Sequence, residues 1–178
     1  MVKEPIILNT KRFSDNRGFF MESCPAYISK ELGVSFLQDN LSFSKKGTVR
    51  GLHYQWDVPM GKLVSVVSGS IIDHVVDIRE GSENFGELRS FSLNGMDEKI
   101  LWVPPGFAHG FETLEDSYVL YKCTSIYNKD REGSISIFDP EISITLCGDI
   151  DQSIISERDS QAISLSEYKK DYKFSKEK

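Results

Sequence analysis

Between Gln38 and Lys62 the chain places an imidazole (His53), a guanidinium (Arg50) and an ammonium (Lys62) close together. The stretch reads Q-D-N-L-S-F-S-K-K-G-T-V-R-G-L-H-Y-Q, and after a loop G-K-L-V. Donors, an acceptor and a base in one short region either tie a loop together or bind an anion. The second reading fits the rest of the chain better. Strand alternation puts every second side chain on one face. On that basis Leu41, Phe43, Val49 and Leu52 are expected in a sheet interior. Gln38, Asn40, Ser42 and Arg50 need polar partners or a ligand.

Other reactive side chains are scattered, and each has an ordinary reading. A histidine in an apolar-aromatic setting, as at His53, is more often structural than catalytic. His109 lies in P-P-G-F-A-H-G-F, a loop fixed by two prolines and two glycines. Histidines on β scaffolding raise the question of a metal, which needs three or four converging ligands. Gln55 stands where a His-x-His pair would need its second ring, and His74 follows Asp73 on a strand whose other face reads as occupied. No metal is expected. Asp15, Arg17 and Glu22 around the first turn read as a solvated hairpin with a weak surface ion pair. Asp73 and Asp77 share a strand face, and Arg79 can pair with either. Tyr121 and Tyr127 flank K-C-T-S-I, where a tyrosine usually packs with its hydroxyl at the edge. Asp159 reads as a helix cap or surface turn.

The elements that must position these groups are mostly strands. Residues 5–22 alternate around S-D-N-R-G as two strands and a loop, and 26–33 form a helix ended by Gly33. From Ser35 to Tyr127, K-L-V-S-V-V, S-I-I-D-H-V-V-D-I, E-L-R-S-F-S-L and K-I-L-W-V alternate with turns at the spacing of an all-β sandwich or barrel. A short Lys-rich helix is expected near 164–172. With 178 residues, the chain suits one domain, 1–178, with its own core. A net charge of −6 argues against nucleic acid as the main partner, without forbidding a local basic cleft. Cys24, Cys123 and Cys147 have no CxxC spacing, no stretch approaches a membrane span, and the first residues lack a signal peptide's apolar core. Cytoplasmic residence is the expectation.

Taken in order, F-S-D-N-R-G-F-F-M-E (13–22), F-L-Q-D-N-L-S-F-S (36–44), G-T-V-R-G-L-H-Y-Q (47–55), G-K-L-V (61–64), D-H-V-V-D-I-R (73–79), F-G (85–86), P-P-G-F-A-H-G-F (104–111), Y-K-C-T-S-I-Y (121–127) and S-E-R-D (156–159) resemble the dTDP-4-dehydrorhamnose 3,5-epimerase family, the RmlC-like branch of the cupins. The resemblance implies a cupin-type jelly roll with a few short helices, without metal or cofactor, and usually a homodimer. It further implies inversion of C3 and C5 in a nucleotide-diphospho-4-keto-6-deoxy sugar, most simply dTDP-4-dehydro-6-deoxy-D-glucose to dTDP-4-dehydro-L-rhamnose. By this likeness His53 is the base, Asp159 orients it, Tyr121 is the acid and Lys62 stabilises the oxyanion. Asp73 either positions Lys62 or lines the sugar pocket. Arg17 and Arg50 meet the pyrophosphate. Phe20, Glu22, Gln38 and Asn40 contact base and sugar, His109 the sugar, and Tyr127 stacks on the nucleobase. Glu132 and Arg158 are further contacts, and Asp39 is nearer to scaffold than to ligand.

The likeness frays where many relatives carry tryptophans, at Ile137 and Leu146, which bears on packing behind the pocket or on thymine recognition. His74 replaces a small or Val residue and has no assigned role. Alternatives left standing are a 3-epimerase, a GDP- or CDP-sugar substrate, a ketoisomerase that moves the carbonyl between C3 and C4, and a non-catalytic sugar-nucleotide binding protein. The intact His53, Tyr121 and Asp159 set speaks against the last two.

Overall fold

A computed structural model describes residues 1–148 and 154–174. In chain order the elements are β1 (Ile6–Asn9), β2 (Arg12–Asp15), β3 (Gly18–Met21), α1 (Ala26–Leu32), β4 (Gln38–Ser44), β5 (Thr48–Gln55), β6 (Lys62–Ser68), β7 (Ser70–Asp77), β8 (Leu88–Asn94), β9 (Lys99–Val103), β10 (Phe107–Thr113), β11 (Ser117–Cys123), β12 (Glu132–Ser134), β13 (Ile154–Ile155), α2 (Glu157–Ser160) and α3 (Leu165–Tyr168). One sheet runs β1-β9-β6-β11-β4, and the other β12-β5-β10-β7-β8, with β13 alongside β5. Among the described residues the strands pair antiparallel except β13 with β5, and an isolated parallel bridge joins Ile135 to Ile163. This is the all-β jelly roll expected, and β2–β3 stand apart as a two-stranded hairpin.

Apolar side chains divide into three packed groups. Val64, Val66, Val75, Leu101, Phe107, Phe111 and Val119 fill one end of the space between the sheets. Val49, Leu52, Tyr54, Val76, Ile78, Ile135, Ile137 and Tyr168 cover the back of the second sheet. Leu8, Ile28, Leu32, Leu63, Ile100 and Trp102 pack α1 on the back of the first. Because the second sheet is covered on both faces, β10 is buried at all seven positions. Sheets covered on both faces lose the polar alternation of half-exposed strands. α1 ends as the sequence predicts, with Gly33 at φ +67° returning its N–H to the carbonyl of Lys30.

Two expectations need correction. Leu41 and Phe43 are 63% and 45% exposed, not interior. Their strand, β4, is the edge of its sheet and sends Gln38, Asn40 and Ser42 inward instead. The tail helix covers only Leu165–Tyr168, because Tyr168 is drawn into the core and bonds the Ile78 carbonyl. Arg79 takes Asp77 and Glu4, leaving Asp73 to another partner. Ile137 is buried and Leu146 packs against the same back-face group, so the missing tryptophans concern packing behind the second sheet. Neither residue lines the cavity between the sheets.

Candidate active site

Strict alternation would put Arg50 and His53 on opposite faces of β5, yet both line one cavity. The register supplies the reason: His109 faces His53 but Phe111 faces Arg50, so β5 carries one extra residue there. Such a bulge turns the following side chains over. Glycines make room for it. A Cβ on Gly51, at φ +107°, would lie 2.6 Å from the Gly110 Cα, and one on Gly110 would overlap the Arg50 carbonyl. R-G-L-H and H-G-F are therefore two halves of one device, which aims Arg50 and His53 inward together.

The cavity, of about 500 Å³, opens between the sheets. The inner face of β4 brings Gln38 and Asn40, β5 brings Arg50 and His53, β6 Lys62, β10 His109, and β11 Tyr121. Tyr127, Glu132 and Arg158 border it as well. Asp39 borders it too, but its carboxylate pairs with Lys122 at 2.7 Å, the scaffold role expected. Arg17, Phe20 and Glu22 are not among the lining residues. They sit on or beside the separate hairpin, where Arg17 pairs with Asp15 at 2.6 Å and Phe20 is 66% exposed.

Behind His53 lies Asp159, with Oδ1 2.6 Å from the ring Nε2. The short strand β13 pairs parallel with β5 and delivers α2 to this point. Ser156 caps α2 by accepting the Asp159 N–H, and Asp159 Oδ2 accepts the Gly51 N–H at 3.3 Å. Burial alone would raise the Asp159 carboxyl, but the His53 contact and these donors hold it below its ordinary value. It is thus an ionised partner able to stabilise an imidazolium. Across the cavity, burial pushes the Tyr121 phenol up, which keeps its proton in place as an acid requires.

Lys62 Nζ stands 2.9 Å from His109 Nε2, and His109 Nδ1 is 3.3 Å from Asp73 Oδ1. Asp73 is fully buried and does not line the cavity, so of its two expected roles lining is excluded, and its contact is with His109. Burial lowers Lys62, against the pull of Cys123, Glu132 and Asp73. Burial and the Lys62 charge lower His109, against Asp73. The three histidines do not converge, and among the described residues no group of three or more His, Cys, Asp or Glu could hold a metal.

At the mouth Glu132 Oε2 accepts from Tyr127 Oη at 2.9 Å and from Arg158 Nη1 at 2.5 Å. Arg50 is held by the Ser44 hydroxyl and the Phe43 carbonyl. Gln55 was considered in the sequence only as a missing metal ligand, but it is a hub. It donates to Val58 and Ile126 carbonyls and accepts from the Asn128 N–H, fixing the loop that carries Tyr127. Gln38 helps by accepting the Tyr127 N–H. Nothing in the sequence pattern marked Gln55 for this role.

Comparison with known proteins bears on the fold and the family. Residues 1–167 match the family model described as dTDP-4-dehydrorhamnose 3,5-epimerase. A protein of that name from Methanothermobacter thermautotrophicus is 41% identical over 158 residues, 86% of this chain and 85% of the relative. One from Pseudomonas aeruginosa is 37% identical over 170 residues, 93% of each chain. Among solved structures, dTDP-6-deoxy-D-glucose-3,5-epimerase RmlC from Legionella pneumophila, in complex with dTDP-4-keto-L-rhamnose, superposes with a TM-score of 0.93 at 39% identity, covering 99% of this chain and 96% of that one. With its fold and nearly its whole length matched, this chain belongs to the dTDP-4-dehydrorhamnose 3,5-epimerase family.

Proposed function

We propose that this protein inverts C3 and C5 of a dTDP-4-keto-6-deoxy sugar by proton transfer through an enolate, taking dTDP-4-dehydro-6-deoxy-D-glucose to dTDP-4-dehydro-L-rhamnose. The carrying observation is a single cavity that holds His53, backed by Asp159, together with Tyr121 and Lys62. The C4 ketone acidifies the neighbouring C–H bonds. His53 takes the proton, the C–H electron pair becomes the enolate, and Lys62 meets the oxyanion. Tyr121 then returns a proton on the opposite face, which inverts the centre. Arg50 serves the pyrophosphate, and Tyr127 with Glu132 and Arg158 frames the base. Gln38 and Asn40 contact sugar and base, and His109 the sugar. Three free cysteines suit a reducing cytoplasm, and no described helix is long and apolar enough to cross a membrane.

Arg17, Phe20 and Glu22 act, in this reading, in the site of a second copy. A lone two-stranded hairpin is marginal in water, yet this one exposes Phe13, Phe19 and Phe20 at 50–66%. The edge strand β4, with exposed Leu41 and Phe43, runs beside the cavity and offers a free edge for pairing. Mixing inactive Arg17→Ala and His53→Ala chains should restore part of the activity, since one hybrid site would be intact; no recovery in a confirmed hybrid dimer would remove this assignment.

The reaction is tested by incubation with dTDP-4-keto-6-deoxyglucose in deuterated water, read by mass spectrometry. Two deuteriums are expected. One would reduce the activity to a single centre, and none would make the protein a binder or a user of another nucleotide, which GDP- and CDP-linked substrates run in parallel would reveal.

A further inference from the structure

Asp73 is a carboxylate with no exposure whose Oδ2 makes no hydrogen bond to any described residue. A buried charge so poorly satisfied is costly unless its field is used. Its neighbour is His109, and beyond His109 lies Lys62, which does face the cavity. An ionised carboxylate only accepts, so opposite one His109 would carry its proton on Nδ1. Nε2 would then offer its lone pair to Lys62 Nζ, 2.9 Å away. That arrangement runs, donor to acceptor, from Lys62 to His109 to Asp73.

Building on the epimerase reading, we propose that Asp73 is a positioning residue that locks the His109 tautomer and thereby holds Lys62 as an oriented ammonium beneath the developing enolate. Other charged or titratable groups face the same two side chains: Cys123 and Tyr121 from β11, Glu132 from β12, and His53 from β5. Of these, only Asp73 reaches Lys62 through a ring whose two nitrogens are both bound. Replacing its carboxylate with an amide lets Nδ1 become the acceptor and places an N–H on Nε2, facing the Lys62 donors. The Lys62 contact is lost, and the ammonium also loses a stabilising charge.

The test pairs nitrogen NMR with kinetics. In the native protein at neutral pH, long-range 1H–15N correlation should show His109 with a protonated Nδ1 and a bare Nε2. A doubly protonated ring or the opposite tautomer overturns the proposal, whatever the protein's substrate and without any variant. Asp73→Asn, which keeps the shape, should lower kcat by 10- to 100-fold with KM changed less than about threefold. The alkaline limb of its kcat profile should move to lower pH by about one unit, because an ammonium deprived of its carboxylate deprotonates sooner. An unmoved limb in a folded variant, or an unchanged kcat, also refutes it. A native enzyme without epimerase activity would sink the functional reading and leave the NMR result standing.

Discussion

Two histidine–carboxylate pairs sit back to back on β7 and β10. Asp73 and His109 point into the space between the sheets, while the adjacent His74 and the nearby Glu112 point out of the back. Both pairs are buried. The inner ring spends its second nitrogen on Lys62 and so reaches the cavity. The outer ring contacts the Ser90 hydroxyl at 2.9 Å and approaches Glu112 at 3.4 Å, and Glu112 in turn accepts the Cys147 N–H. The outer chain ends in a surface segment and never meets the cavity. Residue type and burial are alike, so chemistry depends on where the last free donor or acceptor leads.

The comparison is broken most sharply by activity. His53→Ala on the inner face should abolish deuterium exchange, a loss of about 10³-fold or more, whereas His74→Val should leave turnover per folded molecule unchanged. Equal losses would mean the back face takes part. Tyr121→Phe should cut inversion by about 10²-fold or more while sparing some exchange at the carbon His53 deprotonates. Wild-type inversion in that variant would remove Tyr121 from the mechanism.

Much of the inner face was legible because the family motifs carry their residues in order, and turn glycines and alternation mark the strands. What escaped was geometry that a period of two cannot express. The bulge at Gly51 puts Arg50 and His53 on one side, three residues apart. The exposure of Leu41 and Phe43 escaped because an edge strand shows apolar residues as readily as a buried one does. Gln55 escaped because a glutamine within a strand has no pattern to announce that it ties down a loop. Asp73 could not be matched to its partner because the partner lies on a strand distant in sequence, and pairing is a property of register.

The smaller effects sharpen the outer half of the comparison through stability. His74→Val leaves Glu112 buried with the Cys147 amide as its described donor, and should destabilise by about 2 kcal/mol. Adding Glu112→Leu should recover most of that, since apolar isosteres often replace a buried pair without loss. Two additive costs in denaturant melts would show that the pair is not a unit. The smallest signal is its pH dependence. Burial lowers His74 from 6.5 more than Glu112 and Asp73 raise it, so the fold prefers the neutral ring. The unfolded chain therefore takes up this proton first. The ring's contribution is whole above about pH 6.5 and is lost as pH falls toward the lower folded value, at up to about 1.4 kcal/mol per unit. His109 is lowered too and adds a slope of the same sign, so the native curve alone does not isolate His74. The difference between native protein and the His74→Val, Glu112→Leu double variant does, and the native protein's stability relative to that variant should fall steadily as pH drops from 6.5 to 5. Parallel curves would show that His74 titrates alike in the folded and unfolded chains, and the contrast between the two faces would then rest on activity alone.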